Sequence, residues 1–184
     1  GEPGYCDKPR TGGGGGGRKW GTTNLQHAPT VKKNDDGSYS VGGDKLKVKG
    51  TDAFVGKALN DLSTLYNTPT GKSKMDGING STHTTTITEL PIASAPPVGG
   101  GVTTGVQPAM SNGTGSDSTI QYAPDYVPVY TDQNGKPVNG VRPAVLGHEL
   151  GHADHNGQGN NTLGTAEPAE PTSNDEESKT IGIH

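Results

Sequence analysis

The stretch Arg142-Pro-Ala-Val-Leu-Gly-His-Glu-Leu-Gly-His-Ala-Asp-His155 decides how the rest of the chain is read. It contains His148-Glu149-Leu150-Gly151-His152, two histidines four apart with a glutamate directly after the first. On a helix, residues four apart stand one above the other, so both imidazoles can converge on one cation while Glu149 projects beside it. At roughly 100° per residue, Leu146, Leu150 and Ala153 gather on the opposite side. The spacing therefore predicts a helix anchored in a core by one face and holding metal with the other. Pro143 suits the first helical position and Gly157 suits the end. Gly147 and Gly151 each cost about 1 kcal/mol relative to Ala in a helix interior. They share a third side with Asp154, so either a neighbouring element passes close there or that side is exposed.

Two histidines do not complete a catalytic zinc site, which usually has three protein ligands and one open position. His155 is near in sequence, but on an unbroken helix its Cα lies about 10 Å further along the axis than that of His148. It reaches the metal only if the helix breaks before it. The metzincin pattern needs a glycine and then a third histidine at positions occupied here by His155 and Gln158, so that pattern fails. A downstream carboxylate is the other solution. Glu176-Glu177 is the paired run in a stretch with helical potential, with Glu177 preferred and Glu176 the near miss. The expected cofactor is one Zn2+ per chain, with Glu149 as the base that takes a proton from water. A donor for the developing oxyanion is expected from Tyr122, Tyr126, Tyr130 or His155, among which the residues do not choose.

The composition narrows the setting. Gly and Pro fill 45 of 184 positions and only 27% of residues are hydrophobic. A small core and many loops follow, and a bound metal would supply stability that the core lacks. The net charge of −4 with scattered basic residues gives no footing for nucleic acid or an anionic membrane. One cysteine, Cys6, excludes an internal disulfide framework. No apolar run is long enough to span a bilayer, and no classical signal peptide is visible.

Residues 1–33, with Gly12 to Gly17 in a row, read as a flexible lead-in, and residues 34–184 as the folded domain. Within it, a hairpin is expected to turn at Gly42-Gly43, with Leu46 and Val48 alternating against lysines. Thr51 or Asp52 can cap a helix to about Tyr66, carrying Phe54, Val55, Ala58, Leu59, Leu62 and Leu65 on its core face. Gly71-Lys72-Ser73 invites a phosphate-loop reading, but Tyr66 stands where such a loop needs glycine. Thr82 to Leu90 is a strand candidate, Pro91 to Gly115 reads as a long loop, and Ser118–Tyr122 and Tyr126–Tyr130 read as short extended segments. Near a catalytic metal such a segment either receives substrate as an added strand or is an ordinary edge.

Several of these residues resemble a known group. Lys57-Ala-Leu-Asn-Asp-Leu62, Thr68-Pro-Thr-Gly71, Gly115-Ser-Asp-Ser-Thr-Ile120, the Arg142 to Ala153 helix and Glu176-Glu-Ser-Lys-Thr-Ile-Gly182 together are similar to the NleD-type effector zinc metallopeptidases. The resemblance covers roughly Val48 to His184. It implies an α+β, loop-rich, zincin-like domain whose active-site helix packs on a short mixed sheet, with ligands at His148, His152 and the tail glutamate, favouring Glu177. It also implies a bacterial protein that is secreted or delivered into a target cell, cleaves a protein there, and travels with a cognate immunity protein. The competing expectation is a metal-stabilised binding or adaptor domain that cuts nothing.

Overall fold

Thr51 starts the element around which the core forms. Its hydroxyl accepts the Phe54 N–H at 3.2 Å, and Asp52 favours the helix dipole, so α1 runs over Asp52–Tyr66. Phe54, Val55, Ala58, Leu62 and Leu65 are buried along one face, as their spacing predicts. Each of these side chains larger than Ala58 contributes roughly 1.5–3 kcal/mol of burial. The computed structural model describes residues 28–140 and 142–161. Glu176, Glu177 and the stretch around them lie outside the described residues.

A six-stranded mixed sheet carries the helices. Its strands are β1 (Val31–Lys33), β2 (Tyr39–Val41), β3 (Leu46–Val48), β4 (Thr85–Glu89), β5 (Gly101–Thr104) and β6 (Ser118–Tyr122). The spatial order is β1-β2-β3-β4-β6-β5, with β3, β4 and β6 parallel and the remaining neighbours antiparallel. The expected hairpin is present between β2 and β3. Asn79 fixes its turn, donating to the Val41 carbonyl and accepting from Lys45 and Leu46 N–H at 3.0–3.1 Å. A separate ribbon pairs β7 (Val129–Thr131) with β8 (Pro137–Asn139). The boundary read at 33/34 is corrected by β1, since residues 31–33 pair with β2 and belong to the sheet.

Two elements lie where the sequence pattern predicts no helix or strand. Helix α2 (Pro69–Asn79) is capped by Thr68, whose hydroxyl accepts the Gly71 N–H at 3.0 Å. Gly71-Lys72-Ser73 lies inside this helix, in keeping with rejection of a phosphate loop. The stretch Pro91 to Gly115 contains β5 as well as turns, and β5 forms one edge of the sheet.

Helix α3 (Arg142–Gln158) packs on α1, α2, β5 and β6, with Leu146, Leu150 and Ala153 buried. The neighbour expected at its glycine side is α2 together with the end of α1. A Cβ on Gly147 would lie 3.1 Å from the Leu65 side chain, and one on Gly77 would meet the Asp154 carboxylate. The helix continues past Gly157, and the left-handed Gly159 (φ +73°) ends it. Gly159 N–H donates to Asn156 O and Asn160 N–H to His155 O, the paired bonds of a Schellman close. Asn156 then ties this end to the sheet by donating to Ser118 Oγ at 2.9 Å.

Candidate metal centre

The helical register does what its spacing predicts. The His148 and His152 rings sit 4.7 Å apart, nearly perpendicular, with their Nε2 atoms 3.1 Å from each other. Two nitrogens bound tetrahedrally to zinc at about 2.0–2.1 Å would be roughly 3.3 Å apart, so this pair suits one shared cation. The ligand atoms of His148, Glu149 and His152 all lie within 4.8 Å of one another. His152 and Glu149 are buried and His148 is half-buried, so the group is rooted in the fold. Borderline imidazole donors beside a carboxylate form a zinc-type donor set.

Glu149 is held from β5. Thr103 Oγ1 donates to Glu149 Oε1 at 2.7 Å, while Oε2 lies 4.0 Å from His148 Nε2. Gly101, two residues earlier on the same strand face, leaves the space that the Glu149 side chain fills. A Cβ there would be 2.9 Å from Glu149 Cγ. Thr103 was not among the sequence candidates, although Gly101, Thr103 and Gly105 form a period-two run of small residues that marks a strand face under close approach.

The other predicted residues separate. Helix α3 is unbroken through His155, which keeps that residue out of the three-membered group. Tyr122 is a core residue and is corrected as an oxyanion candidate. It is 1% exposed, and its hydroxyl lies 2.7 Å from Asp61 Oδ2 and 3.1 Å from the Arg142 carbonyl. Burial raises the Asp61 pKa from its ordinary value, opposed by the Tyr122 hydrogen bond and by Arg142. Burial and the Asp61 carboxyl also push the Tyr122 phenol up. The phenol has one hydrogen, and its shorter contact is the bond it donates to Asp61 Oδ2, with the Arg142 carbonyl the longer alternative. Tyr126 is half-buried against Leu90, Ala95 and Ala123, with its ring against Gly100, next to the Gly101 gap. Tyr130 stands on β7.

Beside His148, a cleft of about 320 Å³ opens between the α1–α2 corner and α3, lined by Leu65, Thr68, Lys74, Ala144, Gly147 and His148 among others. Lys74 Nζ donates to the Gly147 carbonyl at 3.0 Å. Burial lowers its pKa against the opposing charge of Asp154. Among the described residues, no helix is long and apolar enough to cross a membrane.

Likeness to solved structures is remote. The botulinum neurotoxin serotype HA light chain aligns with a TM-score of 0.45 and 14% identity over 59% of this chain and 35% of the light chain. The botulinum neurotoxin type G light chain aligns with a TM-score of 0.47 and 12% identity over 77% of this chain and 53% of its own. The chain thus spans from about a third to about half the length of these proteins. No curated protein matches it. The profile of the M91 peptidases, described as effector proteins, matches residues 42–184, more than three quarters of the sequence and all of α3. On that match, the chain belongs to the M91 peptidase family of effector proteins.

Proposed function

We propose that this chain is a zinc-dependent endopeptidase, delivered as a secreted effector or toxin domain, that cleaves a protein of a target cell. The observation that carries the reading is the convergence of His148 and His152 Nε2 atoms at 3.1 Å with the Glu149 carboxylate beside them. Family membership supports the reaction class and the effector role. His148 and His152 would hold the zinc, and Glu177 is proposed as the third ligand, since the family match extends through the tail that carries it.

Zinc, when bound, supplies Lewis acidity to a water and to the scissile carbonyl. Glu149 takes a proton from the attacking water and returns it to the departing amine, a task that needs a carboxylate fixed in place. The strand suited to receive substrate is β5. Segment Ser118–Tyr122 is β6, bonded on both sides by β4 and β5, whereas β5 is an outer strand of the sheet and packs on α3. A peptide laid along β5 would be held by main-chain hydrogen bonds, with pockets choosing its side chains.

The test combines metal analysis with a digest of denatured casein. Wild type is expected to carry one zinc per chain and to cut casein, with cutting abolished by a chelator. Glu149→Gln is expected to keep its zinc and lose about 10²–10⁴-fold in rate. Glu177→Ala is expected to lose zinc. Undiminished cutting by Glu149→Gln sinks the mechanism, and zinc retention with no cleavage of any protein favours the adaptor reading.

A further inference from the structure

Strand β5 presents alternate residues to α3, as any strand does. Gly101 faces the Glu149 and Val145 side chains, Thr103 bonds to Glu149, and the following Gly105 lies under the Asn156 amide and Met110. Small residues at all three positions let the helix approach closely. Only Thr103 carries a polar atom on this face, and that atom meets the one carboxylate of the metal group. The hydroxyl has a single hydrogen and two acceptors in reach, Glu149 Oε1 at 2.7 Å and Glu149 O at 3.2 Å. The shorter contact, to the charged oxygen, is the stronger bond.

We infer that Thr103 is the positioning residue for Glu149: its hydroxyl engages Oε1 and thereby assigns Oε2 to the metal-facing side, where the base must meet water. This deepens the peptidase reading above and rests on it. A carboxylate on a two-carbon stem turns about its terminal torsion at little cost. Gly101 places no Cβ against that stem, so the backbone alone does not fix the carboxylate plane. The Thr103 bond does, from the strand proposed to seat the substrate. Base and substrate would then share one reference element, a condition for holding reacting atoms in a near-attack geometry.

The experiment compares Thr103→Val, which keeps shape and strand propensity but removes the hydroxyl, with Thr103→Ser, which restores it. Zinc content and Tm are measured first and are expected to match wild type in both. With an internally quenched peptide drawn from the casein digest, Thr103→Val is expected to lose about 10- to 100-fold in kcat with KM within about twofold. Thr103→Ser is expected to recover to within about threefold of wild type. A leucine-derived peptide hydroxamate supplies a readout without turnover, because such a group chelates zinc and donates a hydrogen bond to the neighbouring carboxylate. Its Kd is expected to rise about tenfold in Thr103→Val and to return in Thr103→Ser.

Wild-type kcat and hydroxamate affinity in Thr103→Val overturn the assignment. So does a Thr103→Ser variant as impaired as Thr103→Val, or a loss of zinc that accounts for the loss of rate. If Thr103→Val does not fold, Thr103→Ala against Thr103→Ser decides by the same criteria. If wild type cuts no peptide while hydroxamate affinity still separates valine from serine, the peptidase reading falls and the positioning of Glu149 stands.

Discussion

The two edges of the six-stranded sheet are chemically opposite. At one end β1 reads Val31-Lys32-Lys33, exposed along its whole length, with a lysine at two of its three positions. At the other end β5 reads Gly101-Val-Thr-Thr104, without charge, buried at Gly101 and half-buried over the next two residues. Lysines on an edge strand repel further chains, a common guard against sheet-to-sheet association. An uncharged edge beside the His148–Glu149–His152 helix has no such guard, and an edge proposed to accept a peptide requires its absence. Both strands leave an edge at the end of the same sheet, and the side chains decide which one is available.

The sharpest way to break this contrast is at Gly101. Gly101→Ala places a methyl 2.9 Å from Glu149 Cγ and 3.2 Å from Val145 Cγ1. Overpacking of this kind costs about 1–3 kcal/mol. Thermal melts are expected to show that loss together with a fall in casein cleavage. Lys32→Ala, on the opposite edge, is expected to stay within about 0.5 kcal/mol of wild type and to cut normally. Equal effects at the two edges would erase the distinction.

A smaller effect is expected behind β5, where Tyr122 of β6 joins Asp61 to the first residue of α3. Because burial raises the folded-state pKa of Asp61, the fold favours the protonated carboxyl more than the unfolded chain does. That preference contributes fully below the unfolded carboxylate pKa near 3.9 and is lost as pH rises through the folded value. Asp61→Asn puts a neutral amide there at every pH, with an oxygen that can still accept from Tyr122. The difference in unfolding free energy, Asp61→Asn minus wild type, is therefore expected to grow as pH rises through the carboxylate range, measured by urea melts. A flat difference would show that folding does not raise the Asp61 pKa. The smallest effect is expected from Lys32→Val with Lys33→Val, which strips the guard from β1. Stability should barely change, while sedimentation should show concentration-dependent association.

What the sequence disclosed depended on whether apolar residues carried the pattern. Helix α1 is legible from its Thr51 cap and its spaced leucines, and the shared face of His148 and His152 on α3 from the four-residue interval. Strand β6 is legible too, as a short extended segment, but only its packing, with Ser118, Ile120 and Tyr122 buried and the Tyr122 hydroxyl on Asp61, places Tyr122 in the core. Helix α2 escaped because only Met75 and Ile78 mark its apolar face. It holds through the close approach of Gly77 to Asp154 and through Asn79 in the β2–β3 turn. Strand β5 escaped for a related reason, since glycine and threonine read as loop when the evidence for a strand is what packs against it. The same gap hid Thr103, whose role exists only once α3 lies over it.

The run of small residues Gly101, Thr103 and Gly105, along β5 and just past its end, acts as a gauge. It sets the clearance between strand and helix by how little it contains, and a thicker residue at any of the three positions would act as a shim. A peptide added outside β5 would inherit that clearance, and with it a fixed height above Glu149. The depth of the proposed cleavage site is then written in side chains too small to be noticed as a motif.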